Sequence, residues 1–195
     1  MSDPVLLLMD LQEGICRPDG AVGAGGTGAE VARRGVLTAA GRTLEAFREK
    51  GRPVIFVRVA FDDQYHNLTS GSRRFAGMRK NALLLRSDPS TDICEELQPA
   101  PEDPIIDKGC VNPFIGTNLS ELLVRLSPDH LVMGGVATNH VVESAARHAA
   151  DSGYRVVVLE DLCASFSDDA HRASVEHNLP FYAEVTRSTD YLAKD

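Results

Sequence analysis

The chain has 195 residues, 43% hydrophobic and 25% charged, with a formal net charge of -8. That length supports one domain with a substantial core, taken here as residues 1–195. The acidic balance argues against a nucleic-acid or anionic-membrane partner, because both need a basic face, and no apolar run is long enough to span a bilayer.

In chain order, "MSDPVLLLMDLQ" has no basic stretch before its apolar run and no cleavage site. It reads as a first strand, Val5–Asp10, and not as a secretion signal. The Gly-rich run Gly20–Gly28 reads as a flexible loop. It lacks the GK[ST] ending of a phosphate loop and does not sit tightly between a strand and a helix. Leu37, Ala40, Leu44 and Phe47 recur at helical spacing. Pro53–Phe61 is a second strand. The polar segment Asp62–Asp103 is long and only partly helical, a candidate lid or substrate loop. Pro104–Lys108 is a third strand, followed by a helical stripe of Ile115, Leu119, Leu122 and Leu126. His130–Val136 is a fourth strand, and Val142, Ala145, Ala146 and Ala149 form the stripe of the next helix. Tyr154–Asp161 is a fifth strand. "SFSDDAHRASVEHN" opens with serine caps and an acidic first turn, and Tyr182–Arg187 is a sixth strand candidate. Successive apolar residues suit parallel strands covered on both faces. Alternating strands and helices predict an α/β protein with a mostly parallel sheet.

Four cysteines, Cys16, Cys94, Cys110 and Cys163, are scattered without CxxC spacing. This argues against a disulfide framework or a cysteine zinc site and for a reducing, cytoplasmic setting. No dinucleotide or pyridoxal signature appears, so no cofactor is expected.

In a parallel sheet the carboxyl ends of the strands share one edge, so distant residues converge there. Strand one ends at Asp10, with Gln12 just beyond. Strand three ends at Lys108. Strand four runs into the turn Gly134–Val141. A carboxylate, an ammonium and a helix N-terminus are thereby brought to one crevice. They can move protons and hold a developing anion. On generic grounds alone an Asp and a Lys at strand ends are more often an ordinary ion pair.

The stretches "LLLMDLQEGIC", "PVIFVRVAF", "IIDKGCVNPFIGTNL" and "GGVATNHVVESAARHAADSGYRVVVLEDLCASFSDDAHRASV" occur in that order. Together they resemble the isochorismatase-like, or cysteine hydrolase, superfamily over about Val5 to Thr186. The resemblance implies a three-layer α/β/α fold with a six-stranded sheet. It also implies hydrolysis of a small molecule and a homo-oligomer, dimer or tetramer. It maps the catalytic aspartate to Asp10 and the lysine to Lys108. It further implies a cis peptide at Val136–Ala137 and an anion pocket built from the backbone amides of Ala137 and Val141.

Where the cysteine members read "GVxTNxCV", this chain reads "GVATNHVV", which puts Val141 at the nucleophile position. Four readings stay open. The first is hydrolysis without a covalent intermediate, as in true isochorismatases. Those enzymes also carry a glutamine after strand two, and here Phe61 stands where it would be sought. The second is a relocated nucleophile at Cys110, whose side chain shares a face with Lys108 if the strand continues; the alternative is a small apolar core residue. The third gives His140 a titrating role; the alternative is a solvated histidine turned toward a neighbouring subunit. The fourth is a non-catalytic binding protein.

The zinc nicotinamidases of the superfamily use an Asp and two His after strand two. "FDDQYHNL" has Asp62, Asp63 and His66 but no second histidine, so no metal is expected. Arg58, Arg73, Arg74 and Arg79 are candidate anchors for an anionic substrate. For the last three, solvated loop residues are the preferred reading.

Overall fold

Six parallel strands form one sheet in the order β3-β2-β1-β4-β5-β6. The structure is a computed structural model that describes residues 3–194. The strands are β1 (Val5–Met9), β2 (Val54–Val59), β3 (Ile105–Lys108), β4 (Leu131–Val136), β5 (Val156–Ala164) and β6 (Glu184–Thr186). Each strand lies within its predicted run except β5, which runs three residues further.

β1 is central, and all five of its residues are fully buried. Its alternation divides the core. Leu6 and Leu8 join the layer of α2 (Thr27–Arg34) and α3 (Val36–Glu49), through Val31, Leu37, Ala40, Leu44 and Phe47. Val5, Leu7 and Met9 join the layer of α5 (Leu119–Leu126) and α6 (Glu143–Asp151), through Leu119, Leu123, Ala145, Ala146 and Ala149. Side chains on a strand alternate between faces, so an unbroken apolar run is what two covered faces require. α1 (Glu13–Cys16), α4 (Arg73–Lys80), α7 (Asp168–Ala173) and α8 (Ser188–Lys194) complete the helices. Ser167 caps α7 as expected, its hydroxyl accepting from the Ala170 amide.

Two expectations need correction. α5 begins at Leu119, and Ile115 lies outside it and is exposed. The helix buries Leu119 and Leu123, so the predicted stripe was displaced at its start. The Gly20–Gly28 run is not a loose loop. It holds a short 3-10 turn, Gly23–Gly25, and the first residues of α2. A β-carbon at Gly23 would lie 1.9 Å from the Arg17 carbonyl oxygen, so the glycine serves close packing there.

β4 carries the site. Gly135 lets it press against β1, since a β-carbon there would meet the Met9 carbonyl oxygen at 2.2 Å. The β4–β5 register shifts between Met133 and Gly135, leaving an irregularity in β5 around Glu160 and Asp161.

Candidate active site

β1 ends in Asp10, whose φ of 58° turns the chain out of the strand. Its amide still donates to the Val57 carbonyl at 2.8 Å, which holds the turn against β2. β3 ends in Lys108. The Lys108 ammonium donates to Asp10 Oδ2 at 2.9 Å and to the Cys110 carbonyl at 3.0 Å. Both side chains are buried, with Lys108 1% and Asp10 5% exposed. Asp10 Oδ1 is buried with no hydrogen-bond partner among the described residues. Burial pushes the Asp10 carboxyl above its usual range; the Lys108 ammonium, and to a lesser extent the Arg74 guanidinium, pull the other way.

After β4 the Val136–Ala137 peptide is cis. A π-helical turn, Thr138–Val142, leads into α6, a local widening often found at functional sites. Two side chains, Ser165 just past β5 and His171 of α7, hold this turn. Thr138 Oγ1 lies 2.8 Å from His171 Nδ1, and the Ser165 hydroxyl donates to Asn139 Oδ1 at 2.6 Å. Behind His171, Glu160 sits in the irregular part of β5. It lies 3.4 Å from His171 Nε2 and pairs with Arg34 at 2.6 Å and Arg187 at 3.0 Å. The neighbouring His171 and the two arginines, working against partial burial, hold the Glu160 carboxyl down to about 2.

Asp10, Lys108, Ala137, His140 and Val141 all line one crevice of about 30 Å³, together with Arg74, Phe75, Met78 and Phe166. That volume admits roughly two water molecules. A roomier cavity of about 460 Å³ opens beside Pro53, Pro104 and Leu126, at the opposite ends of the strands. Its Arg48 and Asp103 already pair with each other. In parallel sheets the carboxyl edge is the functional one, so the smaller crevice is the candidate site.

His140 does not turn away from the crevice, as the reading of a histidine facing a neighbouring subunit required. It lies on the lining, tilted against Phe166 at 5.3 Å, and its Nδ1 donates to the Asn139 carbonyl at 3.0 Å.

Three other pocket candidates fall outside the lining. Gln12 is fully buried and works as a clamp. Its amide group donates to the Val59 and Thr91 carbonyls and accepts from the Val59 amide. Phe61 is fully buried against Tyr65 and Phe75 and supports the lining from behind. Cys110 lies beyond the end of β3, so the strand does not carry its thiol onto the face of Lys108. Its Sγ approaches the Asn112 carbonyl at 3.3 Å, and what meets Lys108 is its backbone oxygen.

The segment 62–103 covers the crevice through α4, which supplies Arg74, Phe75 and Met78. Arg58 is held by Asp107 at 2.6 Å. The His66 side chain is 80% exposed beside Asp62. Phe166 escaped sequence reasoning, since nothing in "ASFSDD" distinguishes a phenylalanine bound for the site.

Away from the crevice, Glu13, Cys94 and Glu96 bring three donor atoms within 4.8 Å of one another. Arg17 already pairs with both carboxylates, at 2.6 Å and 2.7 Å. No helix among the described residues is long and apolar enough to cross a membrane.

A parallel sheet between two helical layers, with an Asp–Lys pair at its carboxyl edge, is the arrangement expected of an isochorismatase-like hydrolase. The sequence matches the isochorismatase domain over residues 4–190, and the chain belongs to that family. It is 32% identical over 191 residues to the isochorismatase family protein YecD of Escherichia coli O157:H7, covering 96% of this chain and 93% of that one. It is 33% identical over 156 residues to the ureidoacrylate amidohydrolase RutB of Pantoea ananatis, covering 73% and 62% of the two chains. The crystal structure of an isochorismatase family protein from Desulfovibrio vulgaris shares the fold. Its TM-score is 0.84 at 20% identity, over 99% of this chain and 100% of that one.

Proposed function

We propose that this hydrolase cleaves a small organic molecule without a covalent intermediate, with Asp10 as general acid and base and Lys108 as charge stabiliser. The observation that carries this reading is the buried Asp10–Lys108 pair with a free carboxylate oxygen, lining a crevice whose opposite wall is Val141. A valine offers no lone pair and no proton, so water must be the nucleophile. On an amide or carbamoyl substrate, water oxygen bonds to the carbonyl carbon. Its proton passes to Asp10 and then to the departing nitrogen as the C–N bond breaks. On a vinyl ether, neutral Asp10 protonates the enol-ether carbon, and water adds to the resulting oxocarbenium carbon and gives its proton back to Asp10. As the C–O bond of the hemiketal breaks, the leaving oxygen takes a proton while the hydroxyl gives one up. A carboxyl raised by burial suits either role. The Lys108 ammonium offsets the charge left on Asp10, and the Ala137 and Val141 amides receive the developing oxyanion.

His140 lines the same crevice. A carbonyl only accepts, so the bond to Asn139 places a proton on Nδ1. The names of relatives such as ureidoacrylate amidohydrolase favour an amide or carbamoyl bond. Four unpaired, buried thiols fit a reducing cytoplasm.

The test is Asp10→Asn against a panel of amides, carbamoyl compounds, nitriles and enol ethers. Turnover by the native protein should fall about a thousandfold. Unchanged turnover defeats the mechanism. Small ligands that raise the melting temperature with no turnover of any panel member would make this a binding protein.

A further inference from the structure

One cation on the crevice is left unused by this chemistry. Arg74 stands in the first turn of α4, is exposed, and lines the same crevice as Asp10 and Lys108. Arg17, Arg34, Arg58 and Arg147 each hold a carboxylate within salt-bridge distance. Arg74 forms no ion pair among the described residues. Its guanidinium lies 4.5 Å from the centre of the Phe166 ring, and Phe166 in turn leans on His140. A guanidinium over an aromatic face keeps its planar edge of N–H donors available. Two cations therefore meet one carboxylate on this crevice, in a chain whose net charge is -8. Local positive excess on an acidic surface concentrates small anions at that point.

We infer that Arg74, propped on Phe166, binds the carboxylate of a small anionic substrate whose scissile group lies at Asp10 and Lys108. The inference rests on the catalytic reading for where the scissile group lies. The anion subsite itself stands on Arg74, Phe166 and the crevice. The fork of N–H groups matches the two oxygens of a carboxylate, which a neutral amide or ketone cannot reproduce. The crevice of about 30 Å³ holds roughly two waters, less than any hydrolysable acid occupies, so the exposed Arg74 and its Phe166 prop part to admit the substrate. Arg74 is then the specificity-determining residue, selecting acids over their uncharged counterparts.

The experiment uses the intact protein and two inert probes of matching shape, propionate and butanone. Neither has a bond for this enzyme to hydrolyse. Binding is followed by backbone amide shifts in solution NMR. Propionate should bind at least about tenfold more tightly than butanone and should shift the amides of His140 and Val141. Arg74→Gln should erase that preference while leaving the butanone affinity and the melting temperature in place. Arg74→Lys should keep part of it. The inference is overturned if propionate and butanone bind alike, if Arg74→Gln retains the preference, or if propionate leaves the His140 and Val141 amides unmoved. Asp10→Asn removes turnover but should keep or strengthen propionate binding. Failure of the catalytic reading and failure of the anion subsite are therefore read separately.

Discussion

Val141 decides which reactions this crevice can host. Its side chain is 1% exposed and lines the cavity with Asp10 and Lys108. A thiol there would stand near the Lys108 ammonium, which lowers a thiol's pKa and raises its thiolate fraction. The four native thiols are buried. Cys16 is pushed well up by a hydrogen bond with Cys94 and by burial, and burial pushes Cys163 up to about 12. Val141→Cys should therefore be alkylated by iodoacetamide at neutral pH about tenfold faster than any native cysteine, read by peptide mass mapping. Labelling no faster than Cys110 would show that position 141 does not feel Lys108. Asp10 and Lys108 were legible in the sequence because Lys108 closes β3 and Asp10 directly follows β1 with its amide still bonded to β2, and strand ends converge by topology. Gln12, Phe61 and Cys110 misled for one shared reason. Past the last strand residue, turns aim the side chains, and no periodicity records that direction.

The turn Thr138–Val142 is held from behind by elements that sequence spacing does not connect to it. His171 of α7 reaches Thr138, and Glu160 backs His171. Glu160 lies where the β4–β5 register shifts, an irregularity that an apolar run such as "VVVLED" does not announce. The carboxyl of Glu160 titrates at about 2 in the fold, against an ordinary 4.5. A depressed carboxyl stabilises the fold above the ordinary value, and that contribution is lost as pH falls toward the depressed one. Glu160→Gln should lower the melting temperature by about 3 °C at pH 7. The gap from the native protein should close as pH falls from about 4.5 toward 2. A gap that stays constant through that window would mean that the ionised form is not what holds His171, Arg34 and Arg187. The α5 stripe shows a second limit of spacing. Ile115 fits the helical period, yet the helix starts four residues later, because the period alone does not mark where a helix begins.

At the scale of the whole chain, strand order and layering were legible, since five apolar runs and their intervening stripes leave few alternatives to a parallel sheet. The segment 62–103 was legible as a partly helical lid or substrate-loop candidate, but its polar composition concealed that α4 packs onto the crevice through Phe75 and Met78, which are both buried. Val124 is 72% exposed and Phe181 83% exposed, and the family resemblance implies a homo-oligomer. Light scattering on the purified protein should accordingly report a homodimer or homotetramer. A mass near 21.1 kDa at working concentration would make it a monomer.

The position of β1 in the sheet has a consequence for the order of assembly. β1 leaves the ribosome ahead of every other strand, yet it sits between β2 and β4. Its second neighbour begins at Leu131. At roughly 5–20 residues per second, Val5–Met9 emerges many seconds before β4 can cover its other edge. Asp10 and the turn at Val141 cannot face each other until then, so no nascent fragment lacking β4 holds a formed crevice. A chain released before that point would expose the most apolar strand of the molecule with one edge open, a ready template for aggregation.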